Sequence, residues 1–170
     1  MNERESAPGG LALIEVLVNT LDVETGADTL TTVEGRAELG ITEPDVPAAR
    51  DLREALRTVC LAHAGHCPPD DGSVSLLDRL LADAPLRVAV DAAGSAVLRP
   101  AGDPAGLTAR VALAIATASA DGTWARLKAC EAADCQEAYY DRSPAGRRRW
   151  CSMSVCGARA KMRAYRARRG

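Results

Sequence analysis

The chain contains no phenylalanine, and aromatic residues make up only 3% of its 170 positions. A core without large rings must be assembled from Leu, Val and Ala, which favours close-packed helices over an aromatic-lined pocket. No run of about 18 apolar residues occurs, which excludes a membrane-spanning helix. The short apolar segment from Leu11 to Leu21 is interrupted by Glu15 and Asn19 and has no basic leader, so it does not read as a targeting signal, and a cytoplasmic location is expected. Also missing are a glycine-rich phosphate loop, a nucleophile elbow, a Ser–His–acid set and a His-x-Glu ahead of a Cys-x-x-Cys pair. These absences argue against an enzyme.

What is present is a soluble composition, 47% hydrophobic and 26% charged, sufficient for one main core and a small additional module. Four of the six cysteines form two close pairs, Cys130/Cys135 and Cys151/Cys156, each with four intervening residues. Two thiolate pairs separated by enough chain for a hairpin suit one closed, tetrahedral structural zinc site. Disulfides, unpaired thiols and an iron–sulfur cluster are the other readings of the spacing, and a reducing compartment disfavours the first. Around the pairs, 124–130 alternates like a strand and Glu137–Asp141 can pair with it. Ser143–Gly146 reads as a turn, and an arginine-rich helix is expected from Ser154 onward.

Charge is divided unevenly. Residues 124–170 hold 12 Lys/Arg and 4 Asp/Glu, a formal +8, which leaves −10 for residues 1–123. A basic module beside an acidic one is the footprint of a phosphate-binding domain, with DNA the expected partner. The candidate contacts are Arg142, Arg147, Arg148 and Arg149 before and at the second cysteine pair, and Arg159, Lys161, Arg163 and Arg166 after it. The competing readings are a solvated helix face, or a basic segment held by a protein surface, including the chain's own acidic part. Tyr139, Tyr140 and Trp150 read as the module's small core rather than as a base-stacking platform.

Ahead of this module, residues 1–10 are polar and contain Pro8-Gly9-Gly10, and a frayed leader is expected. Leu11, Ile14, Leu17, Val18 and Leu21 then give a helix that ends near Asn19-Thr20-Leu21-Asp22. Asn19 and Thr20 could face a ligand, although capping of the helix end also explains them. An amphipathic helix is expected over 47–64, with Leu52, Leu56 and Cys60 inward and Arg50, Arg53, Glu54 and Arg57 elsewhere. It runs into Cys60, His63, His66 and Cys67, four candidate ligands within eight residues that could form a second metal or redox sensor site. A buried cysteine and helix-end histidines are the plainer reading. A helix from Ser73 to Ala84, a hairpin from 86–90 and 96–99, and a helix to about Ala120 follow. Asp121-Gly122 marks the expected boundary.

The set Arg126-Leu127-Lys128, Cys130, Cys135, Tyr140-Asp141-Arg142-Ser143, Arg148-Arg149-Trp150-Cys151-Ser152-Met153, Cys156-Gly157 and Arg159-Ala160-Lys161 resembles the CGNR zinc-finger family. Leu11-Ala12-Leu13, Val18-Asn19-Thr20-Leu21-Asp22 and Asp28-Thr29-Leu30 resemble the opening of the ABATE-type domain that precedes this finger in that family. The resemblance implies a bacterial, stress-induced transcription regulator that binds DNA through its C-terminal part. Ala158 stands where the family has Asn, so any contact made by that Asn does not carry over.

The expected architecture is α+β and mostly α. It comprises a leader (1–10), a helical regulatory domain with a small hairpin (11–122), and a treble-clef-like four-cysteine finger holding one zinc ion (123–170). The expected function is transcription regulation through DNA, with an N-terminal domain sensing a small-molecule, metal or stress signal and a homodimer possible. The alternative is a zinc-stabilised module for protein or RNA.

Overall fold

Leucine and alanine at helical spacing account for the first layer of the structure, a computed structural model that describes residues 5–65, 71–102 and 106–169. Helix α1 (Leu11–Val18) buries Leu11, Ile14, Leu17 and Val18. It packs between α3 (Val46–His63), which starts with Pro47 in its first turn and turns Leu52, Ala55, Leu56 and Cys60 inward, and α5 (Leu107–Ala120), which contributes Val111, Ala114 and Ala118. No aromatic residue precedes Trp124, and Leu30 and Leu39 complete this aliphatic core. Helix α4 (Asp71–Ala82) covers α3 and stops before Pro85. Strands β1 (Leu86–Val90) and β2 (Ala96–Pro100) pair antiparallel with Val88 opposite Leu98.

These elements agree with the periodicity, with two differences. A short helix α2 (Val33–Glu38) lacks an apolar stripe and is held instead by its cap, where the Thr32 hydroxyl accepts from the Gly35 N–H at 3.1 Å. A Cβ on Gly35 would lie 2.2 Å from the Thr29 carbonyl oxygen, so only glycine fits there. The second difference concerns α3, where Arg53 and Arg57 are buried at 4% and 3% exposure although the pattern places them on the polar side. Arg53 donates to the Thr20 hydroxyl at 3.1 Å and to Asp28 at 2.9 Å. Arg57 donates to the Val18 carbonyl at 2.8 Å, one of the α1 acceptors left without a helical partner.

The joint between α5 and the cysteine-rich segment is short and fastened. Gly122, at φ +68°, reverses the chain, and the Thr123 N–H returns to the Ala118 carbonyl at 2.8 Å. Strands β3 (Leu127–Ala129) and β4 (Ala138–Tyr140) then pair antiparallel. Their residues Leu127, Ala129 and Ala138 belong to the same core as α1, α3 and α5. Packing therefore runs across the 122/123 boundary expected from composition.

Three side chains of the helical layer close this seam. The Asn19 amide donates to the Ala138 carbonyl at 3.0 Å and accepts from the Ala138 N–H at 2.7 Å, imitating a further strand. Arg57 also reaches the Gln136 carbonyl at 3.0 Å. His63 Nδ1 lies 2.8 Å from the Leu127 carbonyl oxygen, while its ring stands perpendicular to that of Trp124 at 5.0 Å between centroids. Asn19→Ala is expected to leave both Ala138 groups without partners and to cost about 1–3 kcal/mol, measurable as a lower urea midpoint at unchanged m-value.

Burial, with Lys128 nearby, pulls the His63 pKa below its ordinary value against the raising effect of its bond to Leu127. The neutral ring is thus the folded form, so this contribution to stability is complete above the ordinary pKa of about 6.5. It is lost as pH falls below that value. His63→Gln is expected to flatten the decline in unfolding free energy as pH falls below about 6.5.

Candidate metal centre and nucleic-acid interface

Each half of the cysteine cluster is built by a local turn. Cys130 follows β3, and its N–H bonds the Glu137 carbonyl at 2.9 Å. The intervening chain folds back so that the N–H groups of Cys135 and Gln136 both reach the Ala132 carbonyl, at 2.8 and 3.1 Å. Gln136 takes a left-handed conformation at φ +51°, which aims its carbonyl at Arg57. Cys151 follows Trp150, and Cys156 sits in a π-helical turn over Met153–Gly157 that leads into α6 (Ala158–Ala167).

All four sulfurs lie within 4.8 Å of one another, with Cys135–Cys151 at 3.7 Å and Cys151–Cys156 at 3.8 Å. A tetrahedral ion with metal–sulfur bonds of about 2.3 Å requires sulfurs about 3.8 Å apart. Cys130, Cys151 and Cys156 are buried and Cys135 is half-buried. Charge in the set is strongly coupled. Hydrogen bonds from the Cys135 and Cys151 thiols favour the Cys130 thiolate, while those same bonds raise both donors, Cys135 to about 12. Four thiolates at this spacing need a cation among them.

The residues around the cluster cannot replace that cation. The buried members of this second core are Cys130, Ala132, Tyr139, Cys151 and Cys156, with Trp150 packed against them. Three of the five are thiols, so little apolar area remains to hold the chain beyond β4. One polar device helps, because Lys128 and Asp141 form a buried ion pair at 3.0 Å. The Lys128 ammonium also donates to the carbonyls of Gly146 at 2.7 Å and Arg148 at 3.2 Å, satisfying all three of its donors. Burial would raise the Asp141 pKa. Hydrogen bonds from the Ser143 hydroxyl, the Arg148 and Ser143 N–H groups and Lys128 outweigh it and hold the carboxyl well below its ordinary range. This knot fixes the 143–148 loop that delivers Arg149, Trp150 and Cys151.

The basic residues divide into two groups. Arg148 is half-buried, donates to the Cys151 carbonyl at 2.8 Å and lies over the Tyr139 ring. Arg149 lies over Trp150 and pairs with Glu131. Arg142 lies over Tyr140 and donates to the Ser6 carbonyl at 2.6 Å. Arg148 and Arg149 contribute to the module's own structure, and Arg142 ties the module to the N-terminal segment. Arg147, Lys161 and Arg166 are exposed, and Arg159 and Arg163 approach Asp134 at only 4.0 and 3.8 Å. Such exposed pairs are worth about 0–1 kcal/mol and exchange readily. Helix α6 has no buried residue and carries four cations and no acid, and its Arg159 also approaches Glu24, in the loop after α1, at 3.6 Å.

The other candidate ligands are placed as follows. Asn19 is committed to Ala138, and the Thr20 hydroxyl donates to the Leu17 carbonyl at 2.8 Å while accepting from Arg53. Cys60 lies inside the main core, where burial pushes its thiol up to about 12, so it is neither a ready nucleophile nor a ready ligand. His63 is held by Leu127, and His66 and Cys67 lie outside the described residues. A cavity of about 600 Å³ opens elsewhere in the helical layer, between Ile41, Asp45, Ala49, Asp83, Pro85 and Leu107. Arg57, Lys128 and Asp141 escaped functional reading. Lys128 and Asp141 enter the sequence reading only through the family resemblance, without a role, although a carboxylate two residues before a serine has the spacing of an Asx-type turn.

Comparison with known families divides the chain along the same lines as its charge. Residues 11–122 match the family ABATE, described as "Putative stress-induced transcription regulator", and residues 126–169 match the CGNR zinc finger. No curated protein matches the chain.

Proposed function

The chain belongs to the ABATE family and ends in a CGNR zinc finger, and on that premise we propose that it is a transcription regulator that grips duplex DNA with α6 and the adjoining arginine loop. The observation that carries this reading is α6 itself, a ten-residue helix with four cations, no acid and no buried side chain, anchored directly after the fourth cysteine. A helix of this kind costs stability unless something outside the chain covers it, and phosphate supplies the matching charge. The ion in the thiol tetrad is zinc, whose four-thiolate sites are closed and structural. Arg147, Lys161, Arg163 and Arg166 are the phosphate or base contacts, with Arg159 joining when it leaves Glu24 and Asp134. Arg148 and Arg149 act by shaping the finger, and Arg142 by holding it to the N-terminal segment.

In this reading residues 11–122 form the regulatory part and 123–170 the finger. The effector enters through the 600 Å³ cavity rather than at Asn19 or Cys60, whose polar groups are already used or enclosed. Because β3 and β4 share the helical core, a shift of α1 or α3 would reach the finger through Asn19, Arg57 and His63. The charge-reversed variant Lys161→Glu/Arg163→Glu/Arg166→Glu is expected to keep its metal and its urea midpoint. Its salt slope for duplex binding is expected to fall by about 0.9 per phosphate contact removed. Unchanged affinity in that variant, with capture of RNA or a protein instead, would favour the zinc-stabilised module for those partners.

A further inference from the structure

Helix α6 is not uniformly polar on the side that faces away from the chain. Met162 and Tyr165 are 52% and 47% exposed, and Val155 in the preceding turn is 48% exposed. At 100° per residue, Ala158, Met162 and Tyr165 fall on one stripe, with Arg159, Arg163 and Arg166 along one side and Lys161 and Arg168 along the other. The alanines Ala160, Ala164 and Ala167 occupy the opposite side, and Ala160 is the only half-buried member of the helix. Val155, Ala158 and Met162 also line a shallow groove of about 510 Å³ together with Arg159, Arg163 and Arg166.

An apolar stripe with cations on both flanks has a defined complement. In the major groove the two phosphate rows run on either side of an inserted helix, and the apolar feature displayed between them is the thymine methyl group. A purely electrostatic grip would have no need of Met162 and Tyr165 between the arginines, where Met162 leaves apolar surface in water and Tyr165, half-exposed, carries the Arg169 guanidinium over its ring at 5.0 Å. We propose that Ala158, Met162 and Tyr165 read thymine methyl groups, so that the stripe sets a preference for T-containing sites while the flanking arginines hold phosphate. This rests on the DNA reading above and assigns its sequence preference to residues that carry no charge.

The test uses the full-length, metal-loaded protein and the duplex fragment it selects from sheared genomic DNA, resynthesised with deoxyuridine at each thymine in turn. Loss of a contacted methyl is expected to weaken wild-type binding roughly fourfold, the factor that corresponds to burying one methyl-sized group. The variant Met162→Ala/Tyr165→Ala, with metal content and urea midpoint unchanged, is expected to bind both duplexes equally and to keep the wild-type salt slope. Salt-dependent binding that ignores deoxyuridine, or that discriminates equally in the variant, would overturn the thymine assignment and leave the DNA reading standing. A variant that loses self-association in sedimentation while keeping thymine discrimination would assign the stripe to a second copy and overturn it as well. Absence of any salt-dependent duplex binding by the wild type would remove both readings.

Discussion

Cys151→Ser is expected to empty the metal centre and release the chain from about Trp150 to its C-terminal end while the helical layer remains folded. Cys151 is the sulfur that approaches both Cys135, at 3.7 Å, and Cys156, at 3.8 Å, so its loss leaves a three-thiolate set and opens the tetrad at its middle. Helix α6 follows Cys156 directly and buries nothing, and a helix this short is unstable alone. By contrast, β3 and β4 share the main core through Leu127, Ala129 and Ala138. Far-UV circular dichroism should therefore lose only a short helix, the main thermal transition should persist, and limited proteolysis should cut after the second cysteine pair. Removal of the metal from wild type by a chelator should reproduce this pattern. Acid should do so too, because protons displace the metal as the thiolates are neutralised. Collapse of the whole protein on metal loss would contradict the division of cores.

The second large effect is expected at Asp141. It is fully buried at 0% exposure, and its oxygens accept from Lys128 at 3.0 Å, the Arg148 N–H at 2.8 Å, and the Ser143 hydroxyl and N–H at 2.6 and 3.0 Å. Asp141→Ala leaves the Lys128 charge buried without its counterion and frees the 143–148 loop. The expected cost is about 3–5 kcal/mol, read from urea unfolding. Lys128→Met should cost less, since the carboxylate keeps three of its four donors. Because the folded Asp141 pKa is depressed, its stabilisation is complete above the ordinary carboxylate value of about 3.9 and fades only as pH falls through the lower folded value. Metal release on acidification therefore precedes loss of this ion pair. Equal cost for the two substitutions would show that the loop's hydrogen bonds contribute little.

Much of this arrangement is legible in the sequence for a plain reason: helical periodicity and close cysteine pairs report on local geometry. Leu11, Ile14, Leu17 and Val18 fall inward as their spacing requires, and the four cysteines converge although 15 residues separate the two pairs. What escapes is long-range and polar. Arg53 and Arg57 look like solvent-facing residues of an amphipathic helix, yet both are buried, Arg57 against the free Val18 carbonyl at the end of α1 and Arg53 against the Thr20 hydroxyl and the Asp28 carboxylate. Asn19 reads as a helix cap, while its partner Ala138 lies 119 residues away. The Asp121-Gly122 break is a true turn, but no local pattern could reveal that the next hairpin shares the helical core. Arginines before the second pair look alike in sequence and differ in use, since Arg148 spends its donors on the finger and Arg147 faces solvent.

The measurement that tests the central claim most directly is a titration of duplex genomic fragments at two salt concentrations, with metal-quantified wild-type protein beside Cys151→Ser. One zinc per chain, binding that weakens steeply with salt and prefers particular fragments, and loss of that binding in the variant are the predicted results. A wild-type protein with stoichiometric zinc and no affinity for any duplex would contradict the account.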